Sequence, residues 1–73
     1  MMKIKYVKPQ KDYKVLVGFE NNVEKICDIS QLLNIGAFKE LKEEALFTQV
    51  INTDYSIEWP NELDLSADML LAM

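Results

Sequence analysis

The feature that most constrains the fold is a pair of β-rich runs separated by two asparagines, residues 21–22. Residues 13–20 alternate, and the side chains on one face are Tyr13, Val15, Val17 and Phe19. Residues 23–29 form the second run, and asparagine tolerates positive φ, so the segment predicts a β-hairpin. A strict two-residue turn would place Phe19 opposite Glu24. We therefore allow a bulge or an alternative register near the end of the second run.

Three further runs have strand composition. Residues 3–8 alternate lysine with apolar side chains, and these lysines would protect an edge position against strand addition. Residues 47–52 and 57–59 are rich in β-branched and aromatic side chains. Together with the hairpin they predict an antiparallel sheet of about five strands.

Two segments have helical patterns. Residues 37–45 predict a two-turn helix, whose apolar stripe consists of Phe38, Leu41 and Ala45. Residues 63–73 predict a short C-terminal helix, with Ser66 or Asp64 as its N-cap. The expected architecture is α+β in the order β-β-β-α-β-β-α, within a single small domain covering residues 1–73.

The chain lacks both histidine and arginine, which excludes several kinds of site. It has eight lysines and twelve acidic residues, for a net charge of −4. Without histidine there is no imidazole base and no His-ligated zinc. Without arginine there is no guanidinium to grip phosphate or carboxylate through two parallel hydrogen bonds.

The carboxylates are the remaining candidates for acid–base chemistry, and their spacing argues against it. Glu43 and Glu44 are adjacent and would point to different sides of a helix. Asp64 and Asp68 could share a helical face, but an exposed turn lacks the burial that tunes catalytic carboxylates. No calcium-loop pattern is present. We therefore expect no enzyme, no catalytic residue, no cofactor and no metal.

The charges are divided unevenly along the chain. Residues 1–42 contain all eight lysines and have a net charge of +3, whereas residues 43–73 contain seven acids and no base. This favours a basic partner at the C-terminal half and argues against general nucleic-acid binding. The alternative function is a nucleic-acid-associated regulator that uses the N-terminal lysines. They are Lys3, Lys5, Lys8, Lys11 and Lys14.

The C-terminal run is the candidate interface. Its apolar side chains are Met69, Leu70, Leu71 and Met73. They could dock on the sheet or present an apolar surface to another chain, and a short helix cannot shield all of them from water. We expect a protein partner or a homo-oligomer.

Three single residues each have a structural and a functional interpretation. Asp28 would cap the turn at Ser30 or pair with a lysine, and a partner contact is the second option. Cys27 is expected to be a buried small hydrophobe rather than a redox sensor tuned by Lys25. Trp59 is expected in the core rather than as a stacking platform for a base or peptide.

The sequence has features of a cytoplasmic protein. The lone cysteine cannot form an intramolecular disulfide, which suits a reducing compartment. The N-terminus is too polar for a signal peptide, and no apolar run approaches the roughly 18 residues of a membrane span. We therefore expect no membrane association.

Several motifs together resemble the small bacterial family called domain of unknown function 2442, over nearly the whole chain. The more specific element is Trp-Pro-Asn at residues 59–61, followed by Asp-Leu-Ser-Ala-Asp at residues 64–68. The family-motif residues are Phe19, Asp28, Trp59, Pro60, Asn61, Asp64 and Asp68. This chain departs from the family at residues 21–22, where Asp-Gly is usual, and at Glu62, where glycine is usual.

The resemblance implies an α+β fold and a modest functional expectation. Members resemble stand-alone domains or N-terminal parts of longer proteins, some with a DNA-binding helix-turn-helix. They are often encoded beside another small protein in an arrangement similar to a toxin–antitoxin pair. The family has no established catalytic residues to transfer. The expected function is a non-enzymatic, antitoxin-like protein-binding module.

Overall fold

The protein forms two antiparallel sheets with short helical segments, in a computed structural model that describes residues 2–73. Each sheet has three strands, and strands adjacent in sequence are adjacent in the sheet. The strands are β1 (Ile4–Gln10), β2 (Lys14–Phe19), β3 (Glu24–Asp28), β4 (Ile51–Asn52), β5 (Ser56–Glu58) and β6 (Asp64–Ser66). The α+β class and the antiparallel pairing are confirmed, whereas the prediction of a single sheet of about five strands is wrong.

The two sheets meet at Ile4, the first residue of β1. The Ile4 N–H donates to the Asp54 carbonyl at 2.6 Å, and the Asn52 side-chain amide donates to the Ile4 carbonyl at 2.9 Å. A register shift between Ile4 and Tyr6 interrupts β1, and β4 has only two residues. A bulged strand and a two-residue strand cannot continue a regular ladder, so the sheet is divided here.

The hairpin between β2 and β3 has a three-residue loop. The Phe19 N–H donates to the Val23 carbonyl at 2.9 Å, and the Asn22 N–H donates to the Phe19 carbonyl at 3.0 Å. Asn22 has φ 66°, a left-handed conformation that asparagine adopts at low cost. The resulting register pairs Val15 with Cys27. The hairpin is confirmed, whereas the two-residue turn is wrong: the loop has one more residue, and β3 keeps a regular register to its end. This register keeps apolar side chains on one face.

The segment after β3 is a series of short helical turns, and the two-turn helix predicted over residues 37–45 is wrong. The turns are 3₁₀ helices at Ile29–Leu32 and Gly36–Lys42 and the α-helix α1 at Glu44–Phe47. Glu43 interrupts the segment because its backbone is extended, with ψ 106°. After this break Ala45 faces solvent, and Phe47 enters the core instead.

The strand predicted over residues 47–52 is shorter than expected. Only Ile51–Asn52 pairs with β5. The backbone N–H groups of Thr48 and Gln49 donate to carbonyls of α1 at 3.0 and 3.1 Å, so they are unavailable to a sheet.

The C-terminal helix, α2 (Ala67–Ala72), is shorter than the one predicted over residues 63–73. The Met69 N–H donates to the Ser66 hydroxyl oxygen at 3.1 Å, which confirms Ser66 as the N-cap. The alternative cap, Asp64, is wrong because that residue lies in β6 and pairs with β5.

Both sheets and the helical segments contribute to one core. Its largest fully buried side chains are Trp59, Phe19, Phe47, Ile4, Ile29, Leu41, Ile57, Leu70, Val15, Val17 and Cys27. Tyr13, predicted on the apolar face of the second strand, lies instead in the preceding loop with φ 59°. Its hydroxyl donates to the Lys42 carbonyl at 2.6 Å, and its ring contacts Phe47 edge-on at a centroid distance of 5.2 Å.

Candidate functional site

Helix α2 and its C-cap residue, Met73, contain the four residues predicted as an interface. One of these side chains is buried and three are exposed. Leu70 is fully buried, one turn after buried Ala67. The exposed fractions of the other three are 53% for Met69, 38% for Leu71 and 37% for Met73. We refer to these three side chains as the tail surface. Each of the two predicted alternatives holds for part of the run. Leu70 docks in the core, whereas the tail surface is exposed to solvent.

Strand β3 holds the C-terminal end of α2. The Lys25 ammonium donates to the Leu71 carbonyl at 2.6 Å, and the Cys27 thiol donates to the Leu70 carbonyl at 3.5 Å. A cation is favourable at this position because the last carbonyls of a helix lack intrahelical partners. These contacts give the tail surface a defined position beside the first sheet.

Two acidic side chains lie close to the tail surface in the sequence, one in α2 and one in the strand before it. Asp68 is exposed in the first turn of α2, and Asp64 is exposed in β6, directly before the helix. Within the described part of the chain, no group of three or more acidic, cysteine or histidine residues could hold a metal ion. Asp64 and Asp68 therefore place two negative charges close to the tail surface in the sequence.

Trp59 and Phe19, two of the family-motif residues, belong to the core. Trp59 is 2% exposed, and its indole N–H donates to the Phe47 carbonyl at 2.9 Å. Its ring stacks on that of Phe47 at a centroid distance of 6.2 Å. Phe19 is 1% exposed. The interpretation of Trp59 as a core residue is confirmed, because a buried ring cannot stack on a ligand.

Pro60 and Asn61 form the loop between β5 and β6 with Glu62. The Glu62 N–H donates to the Trp59 carbonyl at 3.1 Å, and Glu62 has φ 67°. The Asn61 side-chain oxygen accepts from the Leu63 N–H at 3.4 Å, while its amide nitrogen is buried without a partner. This part of the family motif shapes a turn.

Asp28 caps the 3₁₀ helix that follows β3, as the structural interpretation predicts. Its carboxylate accepts hydrogen bonds from the backbone N–H of Ser30, at 3.0 Å, and from the Ser30 hydroxyl. These hydrogen bonds, chiefly the one from the hydroxyl, together with the Lys14 ammonium, hold the pKa of Asp28 below its ordinary value.

Cys27 has the environment of a core residue. It is 1% exposed, and burial raises the pKa of its thiol, although the Lys25 ammonium acts in the opposite direction. A protonated thiol is a poor nucleophile. The environment therefore agrees with the interpretation as a small buried hydrophobe.

The N-terminal lysines do not share one environment. The Lys8 ammonium lies 5.2 Å from the ring centroid of Tyr6, and the hydroxyl of that ring donates to Glu24. The Lys5 ammonium donates to the Asn22 side chain at 3.4 Å, in the β2–β3 loop. Lys8 and Glu24 both contact Tyr6, so an acidic side chain lies close to one of these lysines.

A cleft of about 680 Å³, which the sequence did not indicate, lies beside the β1–β2 loop. Its lining consists of Gln10, Lys11, Asp12, Tyr13, Lys14, Ser30, Glu44, Phe47 and Thr48. Asp12 and Tyr13 are both left-handed, with φ 61° and 59°. Turn residues were visible in the sequence, but a left-handed tyrosine has no local signal. Because the lining contains two lysines and two acids, its charge favours neither an anion nor a cation.

Comparison with known families shows to which family the chain belongs. A family model described as "Protein of unknown function (DUF2442)" matches residues 4–73. The chain belongs to the DUF2442 family. The match spans both sheets and α2, so the resemblance seen in the sequence is confirmed and every motif residue of this DUF2442 protein lies within it. No curated protein and no solved structure matches the chain significantly.

Across residues 2–73, the structure contains no helix with both the length and the apolar character needed to span a bilayer. The longest α-helix, α2, has six residues.

Proposed function

We propose that this DUF2442 protein is a non-enzymatic protein-binding module whose partner docks on the tail surface. The observation that carries the proposal is the exposure of Met69, Leu71 and Met73 on a helix anchored by buried Leu70. Exposed apolar side chains are unfavourable in water, and a partner that covers them gains about 25 cal/mol for each Å² buried. Two of the three are methionines, whose flexible side chains adapt to varied partners.

The charge of the C-terminal half supports a basic partner. Residues 43–73 contain seven acids and no base, and Asp68 lies beside Met69 on α2. Such a field accelerates the approach of a basic protein and disfavours an acidic one. It also disfavours a homodimer at this surface, because two copies would bring two acidic halves together.

The family resemblance supports a finer proposal about the partner. Members similar to this chain are often encoded beside another small protein, as in a toxin–antitoxin pair. We propose that the partner is the product of the adjacent gene and that this chain is the antitoxin-like member. The absence of histidine, and burial of the only cysteine, are consistent with a role in binding rather than catalysis.

Co-expression with the protein encoded by the adjacent gene tests the proposal. We expect the two chains to co-purify at low salt and to separate as the salt concentration rises. The double substitution Met69→Ser and Met73→Ser should reduce retention. Ile35→Ser is the matched control, because Ile35 is 55% exposed but lies outside α2. Absence of a complex at low salt would contradict the proposal.

A nucleic-acid-associated regulator is the second candidate. The observation that favours it is the pairing of Lys8 with Leu16 and of Gln10 with Lys14, which places both lysines on one face of adjacent strands. Titration with duplex DNA at two salt concentrations separates the candidates. Affinity that falls steeply with salt would favour this second candidate, and no binding at low salt would remove it.

A further inference from the structure

Among residues 2–73, no strand neighbours the outer side of β3, which is one edge of the first sheet. The order β1-β2-β3 gives β3 a partner on one side only. Because the Phe19 N–H donates to the Val23 carbonyl, alternate residues from Val23 onward occupy the hydrogen-bonded positions towards β2. The residues whose backbone N–H and C=O groups point away from β2 are Glu24, Ile26 and Asp28. They form a template for one more strand, which we refer to as the β3 edge.

The strand at the opposite edge of this sheet, β1, is better protected against such pairing than β3 is. In β1, Pro9 has no N–H to donate, a register shift follows Ile4, and Lys5 and Lys8 add charge. These are common devices that block an exposed edge. By contrast, β3 has no proline and keeps a regular register over its five residues. Strand β3 is charged at Glu24, Lys25 and Asp28, but it lacks the proline and the register shift that protect β1.

The side chains on the β3 edge define what an added strand would meet. Ile26 is 62% exposed, the largest exposed fraction among the exposed large hydrophobic side chains of the described chain. It pairs with Leu16 and extends an apolar row on the outer face of the sheet. Glu24 and Asp28 flank Ile26 at two-residue spacing, so their carboxylates lie on the same face. A strand beside β3 therefore meets the pattern acidic, apolar, acidic, in which Glu24 also accepts from the Tyr6 hydroxyl and Asp28 from Ser30.

We propose that the β3 edge binds an extended segment of a partner protein in which two basic side chains flank an apolar one. Backbone hydrogen bonds would join the segment to Ile26 and its neighbours, as in other cases of strand addition. The apolar side chain would lie beside Ile26, and the basic ones beside Glu24 and Asp28, where opposite charges stabilise cross-strand pairs. The inference rests on the proposed protein-binding function and assigns it a second contact surface.

The same charges disfavour a second copy of this chain. Antiparallel self-pairing centred on Ile26 would place Glu24 opposite Asp28 at both ends, and like charges in opposed positions destabilise a sheet. A shift of the centre to Lys25 would bring two lysines together. The alternative centre at Cys27 pairs only three residues and places Ile26 opposite a carboxylate. A basic partner segment has none of these conflicts.

Amide NMR of the full chain tests the proposal with synthetic peptides. The probe is Thr-Lys-Thr-Val-Thr-Lys-Thr, and its matched control is Thr-Glu-Thr-Val-Thr-Glu-Thr. We expect the basic peptide to shift the amide signals of Glu24, Ile26 and Asp28 and to slow their exchange with solvent, while the acidic peptide leaves them unchanged. Equal shifts with both peptides, or no shift at millimolar basic peptide, would overturn the proposal. Concentration-dependent shifts without any peptide would instead identify self-pairing and overturn it.

Charge-neutral variants test the flanking carboxylates. The double substitution Glu24→Gln with Asp28→Asn should lower the affinity for the basic peptide about fivefold, the effect expected for two exposed cross-strand charge pairs. Asparagine still caps a helix, so the turn at Ser30 is retained. The matched control, Glu20→Gln with Glu40→Gln, removes the same charge elsewhere and should leave affinity unchanged. Equal weakening by both pairs would overturn the assignment to the β3 edge.

The tail-surface variant separates this inference from the proposed function. The Met69→Ser and Met73→Ser protein should bind the basic peptide as the unaltered chain does, since neither residue lies on the β3 edge. If the unaltered chain binds the basic peptide but forms no complex with the protein encoded by the adjacent gene, the β3 edge is sustained and the proposed docking on the tail surface is rejected. Loss of peptide binding in this variant would place the contact at the tail and overturn the edge.

Discussion

The two sheets contain hairpins with the same loop built from different sequences. In the first sheet, Phe19 and Val23 enclose the loop, and in the second, Trp59 and Leu63 do so. Both loops close with an N–H to carbonyl bond of 2.9 Å between these residues. In both, an asparagine side chain at the second loop position accepts from the backbone, and the third residue is left-handed. The two loops share the flanking apolar pair and the asparagine. They differ in the residue type at the left-handed position, which is asparagine in the first loop and glutamate in the second.

The difference lies in the cost of the left-handed position. Asn22 and Glu62 have nearly the same φ, 66° and 67°. Asparagine visits this region readily, whereas most L-residues with a larger side chain are strained there. The second loop is therefore the more strained one. A buried tryptophan with a hydrogen bond to Phe47 compensates for it.

The largest expected effect comes from removing the aromatic residue that precedes each loop. Trp59→Ala should lower the free energy of unfolding by about 3–5 kcal/mol, the range for large buried aromatic residues, and Phe19→Ala by a similar amount. Trp59→Phe isolates the indole hydrogen bond and should cost about 1–3 kcal/mol, because the Phe47 carbonyl loses its partner. Urea denaturation of each variant measures these values. A smaller loss for Trp59→Phe than for the exposed Tyr55→Phe control would contradict the role of that bond.

The next effect tests the strain itself. Glu62→Gly should raise the free energy of unfolding by about 0.5–1 kcal/mol, because glycine relieves a left-handed residue but loses more entropy on folding. Asn22→Gly should change it by only a few tenths, about 0.3 kcal/mol or less. The control is Glu62→Ala, which removes the charge and keeps the Cβ atom. If Glu62→Ala stabilises as much as glycine does, charge rather than strain explains the result.

A smaller effect distinguishes the two loop asparagines. The Asn21 oxygen accepts from the Val23 N–H at 3.1 Å, whereas the Asn61 oxygen accepts from the Leu63 N–H at 3.4 Å and its amide nitrogen has no partner. Asn21→Ala should therefore cost about 1 kcal/mol and Asn61→Ala less, since the latter also removes an unpaired buried group. Thermal unfolding of the pair checks the order. The reverse order would mean that Asn61 has the stronger bond.

The smallest effect is a pH dependence confined to the first sheet. The lowered pKa of Asp28 means that its stabilisation is present above its ordinary value of 3.8 and is lost as the pH falls through the lower folded-state pKa. Acid should therefore weaken the end of β3 first, which hydrogen exchange at the Ser30 amide can follow. Asp28→Asn should remove this step while keeping the cap. A step of unchanged size in that variant would assign it to another carboxylate.

Much of the candidate site was predictable where its cause is local. Ser66 accepts from an N–H three residues away and Asp28 from one two residues away, so short sequence windows predict both caps. The division of the tail was not predictable. The exposed fractions of Met69 and Leu70 depend on where the sheet lies beside α2, and both side chains are equally apolar in the sequence.

The sequence by itself determined the α+β class, the first hairpin, the charge division and the family, and it limited the cap of α2 to Ser66 or Asp64. These follow from periodicity, turn chemistry and composition, which act between near neighbours. The tertiary structure alone decided the separation into two sheets at Ile4, the break of the predicted helix at Glu43 and the left-handed Tyr13. Each depends on contacts between residues distant in sequence, such as the Tyr13 hydroxyl bond to the Lys42 carbonyl. Such contacts can override local preference because backbone N–H and C=O groups need hydrogen-bond partners, and a side chain distant in sequence can supply one.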